Sequence, residues 1–362
     1  ANWYLEDGSV TVNADNSGQT VTQGSGSAVP DEAPVITQRE SSVETGNTIT
    51  INAAENATAN VTISDVNINT SDAAVSTSGK GNVNIELDGT NTLKSGVNHA
   101  GLEKNSDGNQ GKLTITDENE NGKLIATGGN GAAGIGGGLY AGGNDITIIG
   151  GEITATGGEC GAGIGGGFYT GGNDITIAGG KVTATGGDYG AGIGGGFFGN
   201  GNDITITGGK VTATGGDYGA GIGGGNQGNG SNITITDGEV AATGGTNGAG
   251  IGGGLRKNGE KITVSGDATL KVQGGPTDAW DGAGAGIGNG GSHNGEFSGS
   301  FIPVNGAETE PDTSNLTTGK IEYYAPGADM TKDKPTSTTL GSRQPEPASP
   351  GETAAPVEYR MQ

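Results

Sequence analysis

Residues 161–187 read GAGIGGGFYTGGNDITIAGGKVTATGG, and this pattern recurs through the middle of the chain. Aligning the sequence on the string Ala-Gly-Ile-Gly places isoleucines at a constant interval of 29 residues, with a sixth after 36: Ile135, Ile164, Ile193, Ile222, Ile251 and Ile287. A fixed period of this length is typical of a solenoid, in which each repeat stacks on its neighbours. The longer last interval has one extra residue near Ala268 and six in the turn 276–281, where loops accept insertions.

Each repeat contains two segments that alternate polar and apolar residues with the period of a half-buried strand. In the quoted repeat these are NDITI at 173–177 and KVTAT at 181–185, and a third strand is expected in the Gly-rich segment around Ile164. The alternation predicts that four side chains point inward: Ile175, Ile177, Val182 and Ala184. The sequence therefore predicts an all-β, right-handed parallel β-helix of about eight 29-residue coils, about 40 Å long.

Both ends of the chain depart from the regular repeat. Ala100-Gly101-Leu102 and Ala74-Val75 occupy the Ala-Gly-Ile position after steps of 33 and 27 residues. We therefore expect four regions, two of them caps that cover the ends of the solenoid. These regions are an N-terminal cap with irregular first coils (1–70), the β-helix repeats (71–296), a C-terminal cap that includes Phe297 (297–325) and a Pro/Thr/Ser-rich linker predicted to be disordered (326–362).

The composition excludes several classes of function. Only 30% of the 362 residues are hydrophobic and 80 are Gly, which suits a slender solenoid better than a thick globular core. A formal charge of −23 repels nucleic acid and anionic lipid. No apolar stretch reaches the roughly 18 residues of a membrane span, so no membrane insertion is expected. Cys160 has no partner for an intramolecular disulfide, and we interpret it as a turn residue.

Large side chains follow the Gly-rich strand in successive repeats. The pairs are Leu139-Tyr140, Phe168-Tyr169 and Phe197-Phe198, followed by Asn226-Gln227 and Leu255-Arg256. Stacked coils would set these aromatic rings in a row, and a flat π face can stack on a sugar ring. Our candidates for glycan stacking are Tyr140, Phe168, Tyr169, Phe197 and Phe198, with Tyr189 and Tyr218 flanking the same face. The alternative is that these rings pack under their own loops.

Two further surface patterns repeat from coil to coil. Outward threonines such as Thr154, Thr183 and Thr212 resemble the flat faces of ice-binding β-helices, although exposed strands commonly carry Thr. The Asn-Asp corners place Asp145, Asp174 and Asp203 in a ladder that could bind Ca²⁺ weakly, although Asx turns explain the same pattern without a metal. We predict no other cofactor.

Catalytic residues are not predicted. The four Arg and two His are scattered, and no acidic pair departs from the repeat as a grafted catalytic site would. The minority interpretation, a polysaccharide lyase or glycoside hydrolase, would centre on the atypical coil with His99, Glu103, Lys104 and Asp107.

The tandem motifs GAGIGGG and GNDITITGGKVTATGG resemble repeats of secreted and wall-anchored proteins from Gram-positive gut bacteria, and the resemblance covers about residues 83–291. Some of these are carbohydrate-binding, pectate-lyase-like β-helices. The resemblance implies an extracellular, secreted or cell-wall-associated chain, and it supplies no catalytic motif to carry over.

The sequence thus predicts a non-catalytic carbohydrate-binding or adhesion module whose partner is a polysaccharide or host glycan. We expect a monomer, excised from or within a larger multidomain surface protein. The first alternative function is a structural stalk of a surface adhesin. An ice-binding protein is the second alternative and an enzyme is the third.

Overall fold

The computed structural model describes residues 1–106, 111–295 and 301–343 of the chain. It is an all-β parallel β-helix of about nine turns, one more than the sequence predicted. Within the described residues the one helix is a single 3₁₀ turn, Leu5–Asp7. Phe297, Asp107 and the predicted linker beyond residue 343 lie outside the described residues.

Fourteen strands precede the regular repeats. The first eight are β1 (Asn2–Tyr4), β2 (Val10–Asp15), β3 (Gly18–Gln23), β4 (Val29–Pro30), β5 (Val35–Thr37), β6 (Ile49–Ala53), β7 (Thr58–Ser64) and β8 (Asn67–Asn69). The next six are β9 (Val75–Ser78), β10 (Asn82–Asp88), β11 (Thr90–Lys94), β12 (Leu102–Lys104), β13 (Leu113–Thr116) and β14 (Lys123–Thr127).

Sixteen strands form the regular part of the solenoid. They are β15 (Ile135–Gly136), β16 (Ile146–Ile148), β17 (Glu152–Thr156), β18 (Ile164–Gly165), β19 (Gly172–Ile177), β20 (Lys181–Thr185), β21 (Ile193–Gly194), β22 (Gly201–Ile206), β23 (Lys210–Thr214), β24 (Ile222–Gly223), β25 (Gly230–Ile235), β26 (Glu239–Thr243), β27 (Ile251–Gly252), β28 (Gly259–Val264), β29 (Thr269–Gln273) and β30 (Ile287–Gly288). The last four are β31 (Ser292–Asn294), β32 (Ile302–Val304), β33 (Lys320–Tyr324) and β34 (Ser337–Leu340).

Three long sheets run along the solenoid. Sheet 1 has the order β1-β5-β7-β10-β13-β16-β19-β22-β25-β28. Sheet 2 has the order β30-β27-β24-β21-β18-β15-β12-β9-β6-β2-β3-β4. Sheet 3 has the order β34-β33-β29-β26-β23-β20-β17-β14-β11-β8. Each regular coil contributes one strand to each sheet, so the cross-section has three corners.

The observed register confirms the predicted ladders. Ile164 pairs with Ile193 in sheet 2, and Ile175 pairs with Ile204 in sheet 1. The irregular steps are also confirmed, because Leu102 pairs with Ile135 and with Val75. The four side chains predicted to point inward in the quoted repeat are fully buried. Each isoleucine ladder is therefore a continuous apolar column, which no single coil could bury alone.

Glycine in sheet 2 is required by the backbone itself. Gly194 has φ 133°, a conformation that residues with a Cβ rarely adopt, and a Cβ there would lie 2.0 Å from the carbonyl oxygen of Gly223. The short Ile-Gly strands of sheet 2 therefore require glycine at the equivalent position of every regular coil.

Both ends of the described chain carry strands of the solenoid sheets. Between residues 10 and 70 the chain already forms parallel solenoid strands, since β2 pairs with β6 and β5 pairs with β7. In the predicted C-terminal cap, β33 continues sheet 3 by pairing parallel with β29. The prediction of disorder from residue 326 was wrong up to residue 343, because β34 pairs antiparallel with β33 and the Gln273 amide donates to Ala325 and Ala328 carbonyls.

Candidate functional site

Two Gly-rich turns flank each short strand of sheet 2. In the coil of Ile193 they are 186–190 before the strand and 195–199 after it, each closed by a hydrogen bond from the last residue to the second, at 2.9 and 2.8 Å. The backbone N–H of Phe197 donates to the carbonyl of Cys160 in the preceding coil at 2.9 Å. This bond joins the turn after the strand to the turn before the strand of the preceding coil, and Tyr189 contacts Phe197 within the same coil at 5.1 Å, so the tips of both kinds of turn share one face of the solenoid.

The residue at the tip of each turn adopts a left-handed conformation. After the strand, φ is 59° at Tyr140, 64° at Tyr169 and 64° at Phe198; before it, φ is 71° at Tyr189 and 67° at Tyr218. Such values are rare for bulky side chains and cost about 1–2 kcal/mol relative to Gly. The turns nevertheless place aromatic residues there.

The seven predicted rings form one continuous patch, which we call the aromatic stripe: Tyr140, Phe168, Tyr169, Phe197, Phe198, Tyr189 and Tyr218. Tyr169 and Phe198 stack in parallel with centroids 5.0 Å apart. Tyr189 and Tyr218 stack at 6.0 Å, and Tyr189 contacts Phe197 at 5.1 Å. The structure therefore brings both predicted groups of rings onto the same face.

Exposure differs between the two positions of each pair. Tyr140, Tyr169 and Phe198 are 63%, 54% and 43% exposed, whereas Phe168 and Phe197 are half-buried beneath them. Each pair thus has an inner ring that packs on the turns and an outer ring that faces solvent. The packing alternative therefore describes the inner rings, whereas the outer rings are exposed.

In the coil after Phe197 and Phe198, amide side chains replace both rings of the pair. Asn226 replaces the inner ring and is buried, and its Oδ1 has no hydrogen-bond partner among the described residues. Gln227 replaces the outer ring with the same φ of 64°. Because the fold accepts amides at both positions, packing alone does not require aromatic residues there.

Carboxylates border the stripe. Glu159, Asp188 and Asp217 precede the tips of successive turns and are exposed. Burial, followed by the charges of Asp278 and Asp217, raises the pKa of the Tyr218 phenol. The face is therefore apolar at its centre and negatively charged along one edge.

A polar cluster that the sequence analysis missed lies further along the same face. Asp281 is buried, and its two oxygens accept from Nε and Nη2 of Arg256 at 2.8 and 2.7 Å. Nδ1 of His293 lies 2.9 Å from the same carboxylate. Burial raises the pKa of Asp281, but the hydrogen bonds from Arg256 and His293 outweigh it and the pKa is lowered.

The signal for this cluster was present in the sequence. The six-residue insertion 276–281 interrupts an otherwise strict repeat and contains one of only two Trp, Trp280. The sequence pattern predicts only a tolerated loop insertion there, and His293 belongs to none of the predicted sites. The structure brings His293 to the insertion through the hairpin of β31 and β32.

The Asn-Asp corners form the predicted ladder, with Asp145, Asp174 and Asp203 at φ 58°, 55° and 55°. Burial, followed by the charges of Asp145 and Asp203, raises the pKa of Asp174. Within residues 1–106, 111–295 and 301–343, no group of three or more His, Cys, Asp or Glu side chains is arranged to hold a metal ion.

The outward threonines align in register on sheet 3 from Thr154 to Thr212, where Ala241 ends the row.

In the atypical coil around Glu103, the predicted side chains form hydrogen bonds with neighbouring residues. The Glu103 carboxylate accepts from the Ala100 N–H at 2.8 Å and from the Asn105 amide at 3.2 Å, and His99 Nδ1 lies 3.1 Å away. Lys104 is buried and donates to the Asn144 carbonyl at 2.8 Å. Lys104 and Asn105 thereby connect β12 to the first regular coil, since the Gly138 N–H also donates to Asn105 Oδ1 at 2.7 Å. Asp107, the fourth residue of that hypothesis, lies outside the described residues.

Comparison with known families agrees with this fold. Five segments match the model of a family described as beta helix repeat: 120–139, 146–168, 175–197, 204–226 and 233–255. No curated protein and no solved structure gave a match to the chain. In the part of the chain that is described, no helix is long and apolar enough to cross a membrane. The chain is a parallel β-helix repeat protein.

Proposed function

We propose that the chain is a non-catalytic, extracellular carbohydrate-binding or adhesion module, and that the aromatic stripe stacks on the sugar rings of a glycan. The observation that carries the proposal is the continuous patch of seven rings, three of them 43–63% exposed. Aromatic side chains offer large flat apolar faces, and Tyr adds a hydroxyl for hydrogen bonding.

Three features favour binding over packing for the outer rings. Their left-handed backbone is costly for a bulky side chain, although Gly or Asn would fit at little cost. The repeat accepts Gln227 and Arg256 at the equivalent position with φ 64° and 59°. An exposed, contiguous apolar patch rimmed by polar residues is a common mark of an interaction site.

The charge at the edge of the stripe narrows the class of glycan. Glu159, Asp188 and Asp217 would repel uronic, sialylated or sulfated sugars that lie across the turns. We therefore expect uncharged or amino-bearing glycans to be preferred. The secreted or cell-wall-associated location is part of the same proposal, and it follows from the resemblance of the repeats.

One observation favours the alternative function, a structural stalk without a ligand. Phe168 and Phe197 are half-buried and stack on each other at 5.6 Å, so they also stabilise the ladder of turns. A stalk would need this inner row but not the exposed outer row.

The experiment is a glycan array and a pull-down on insoluble polysaccharides with the full chain. The test variant is Tyr169→Gln with Phe198→Gln, which copies the residue that the chain already has at 227. The matched control is Ile149→Gln, since Ile149 is 51% exposed at the corner between sheets 1 and 3, away from the stripe.

We expect binding by the wild type and the control, loss of binding by the double variant, and melting temperatures within about 4 °C of each other. Equal binding by the double variant would contradict the assignment of glycan binding to the stripe, and no binding by the wild type to plant, mucin and microbial glycans would support the stalk instead.

A further inference from the structure

The inserted turn at 276–281 is held rigidly. The Asp278 carboxylate accepts from the backbone N–H groups of Trp280 and Asp281 at 2.9 and 2.7 Å. The Thr277 hydroxyl donates to the Asp281 carbonyl at 2.8 Å. Together with the ion pair between the exposed Arg256 and the buried Asp281, these bonds fix the conformation of an insertion that the regular repeat lacks.

Asn247 anchors the same turn from below. It occupies the tip position that Tyr189 and Tyr218 hold in earlier coils, with φ 62°, and it is fully buried. Its Nδ2 donates to the carbonyls of Asp281 and Gly282 at 3.0 and 2.8 Å, which fixes the orientation of the amide. Its Oδ1 therefore points away from them and has no partner within the described residues.

The rigid turn presents a Trp to solvent. Trp280 is 57% exposed and lies edge-on to Phe301, with centroids 5.3 Å apart, while His293 packs on Phe301 at 4.4 Å. Ordered support beneath an exposed aromatic side chain is the arrangement that lowers the entropic cost of binding.

This turn belongs to the same face as the aromatic stripe. The carboxylates of Asp278 and Asp281 are close enough to Tyr218 to contribute to its raised pKa. Arg256, which holds Asp281, occupies the outer position of the stripe two coils after Phe198. From the coil of Tyr140 to that of Trp280 there are five steps along sheet 2, or about 24 Å.

We infer that Trp280 is the far subsite of one extended site and that the ligand is a glycan chain lying along the solenoid axis, rather than a single terminal sugar. This inference rests on the proposed function of the stripe. The half-buried Asp278 carboxylate supplies a hydrogen-bond acceptor for sugar hydroxyls at this end, and the buried Asn247 supports the turn from below. A short glycan can occupy the stripe or the Trp280 subsite, whereas a long one reaches both.

The test uses β-1,4-linked oligosaccharides of glucose and of N-acetylglucosamine, each with two and with six sugars. A Trp3→Phe background makes Trp280 the sole Trp, because the chain has only two. The readouts are Trp280 fluorescence and affinity by calorimetry. The variants are Trp280→Gln and, as matched control, Ile302→Gln, which removes a 64% exposed apolar side chain next to Phe301.

We expect the six-sugar chain to shift the Trp280 emission and to bind Trp280→Gln about 3- to 10-fold more weakly, the worth of one aromatic contact. The control should bind as the wild type does, and the two-sugar affinity should change little. Equal six-sugar affinity for Trp280→Gln and the wild type would overturn the extended site, with the stripe still supported if Tyr169→Gln with Phe198→Gln abolishes binding. No response to any of the four probes at about 10 mM would refute the stripe as well.

Discussion

Replacing Tyr169 by Asn should leave the stability of the β-helix almost unchanged. The tyrosine occupies a left-handed backbone conformation, and Asn adopts it more readily, which recovers up to about 1–2 kcal/mol. The substitution loses the stack on Phe198, at 5.0 Å and an interplanar angle of 5°, worth about 0.5–1.5 kcal/mol. It also loses the burial of roughly half a side chain, since Tyr169 is 54% exposed, worth about 1 kcal/mol.

These contributions nearly cancel, so we expect a change in the free energy of unfolding within about 1 kcal/mol. Urea denaturation followed by circular dichroism measures this change directly. The comparison variant is Ile175→Ala, which truncates a fully buried side chain in the same coil and should cost about 2–5 kcal/mol. A cost for Tyr169→Asn similar to that of Ile175→Ala would refute the view that the outer rings are dispensable for folding.

Three other changes test the core, the glycine positions and the polar cluster. Ile204→Asp places an unpaired charge in a fully buried ladder and should unfold several coils together; a cooperative melt at the wild-type temperature would contradict the inward assignment. Gly194→Ala should cost at least about 1–3 kcal/mol in urea denaturation, because φ is 133°; an unchanged midpoint would contradict the required close approach. The lowered pKa of Asp281 means that its stabilisation is complete above the unfolded value of about 3.9 and is lost as pH falls through the lower folded value. The gap in Tm between wild type and Asp281→Asn should therefore be large at pH 7 and close in strong acid, and a gap independent of pH would contradict this linkage.

The repeat made the fold predictable from the sequence. A strict interval of 29 residues and the alternation in NDITI and KVTAT were sufficient to identify the sheets, the register and the inward side chains. The irregular steps before Leu102 and Ile135 were also predictable, because the Ala-Gly-apolar string survives in them.

The ends were harder to predict because their strands have no repeat to reveal them. The segment around Ser337–Leu340 has a composition typical of a linker, but it gains hydrogen bonds from the open edge of β33. Tertiary pairing therefore decided its structure, and composition alone does not carry that information.

The candidate site was predictable in part. Stacking of coils placed the rings in a row, as the repeat required, but the division into inner and outer rings depends on the left-handed tips, which the sequence did not reveal for bulky residues. The Asp281 cluster joins residues 25 and 12 positions apart through an insertion outside the repeat, so periodicity could not locate it.

The most direct test of the proposed function is native gel electrophoresis of the full chain through gels that contain a soluble polysaccharide, such as hydroxyethylcellulose, glycol chitin or xylan. We predict that at least one polymer retards the wild type and Ile149→Gln, while Tyr169→Gln with Phe198→Gln migrates as it does without polysaccharide. Equal retardation of the double variant and the wild type would contradict the assignment of glycan binding to the aromatic stripe.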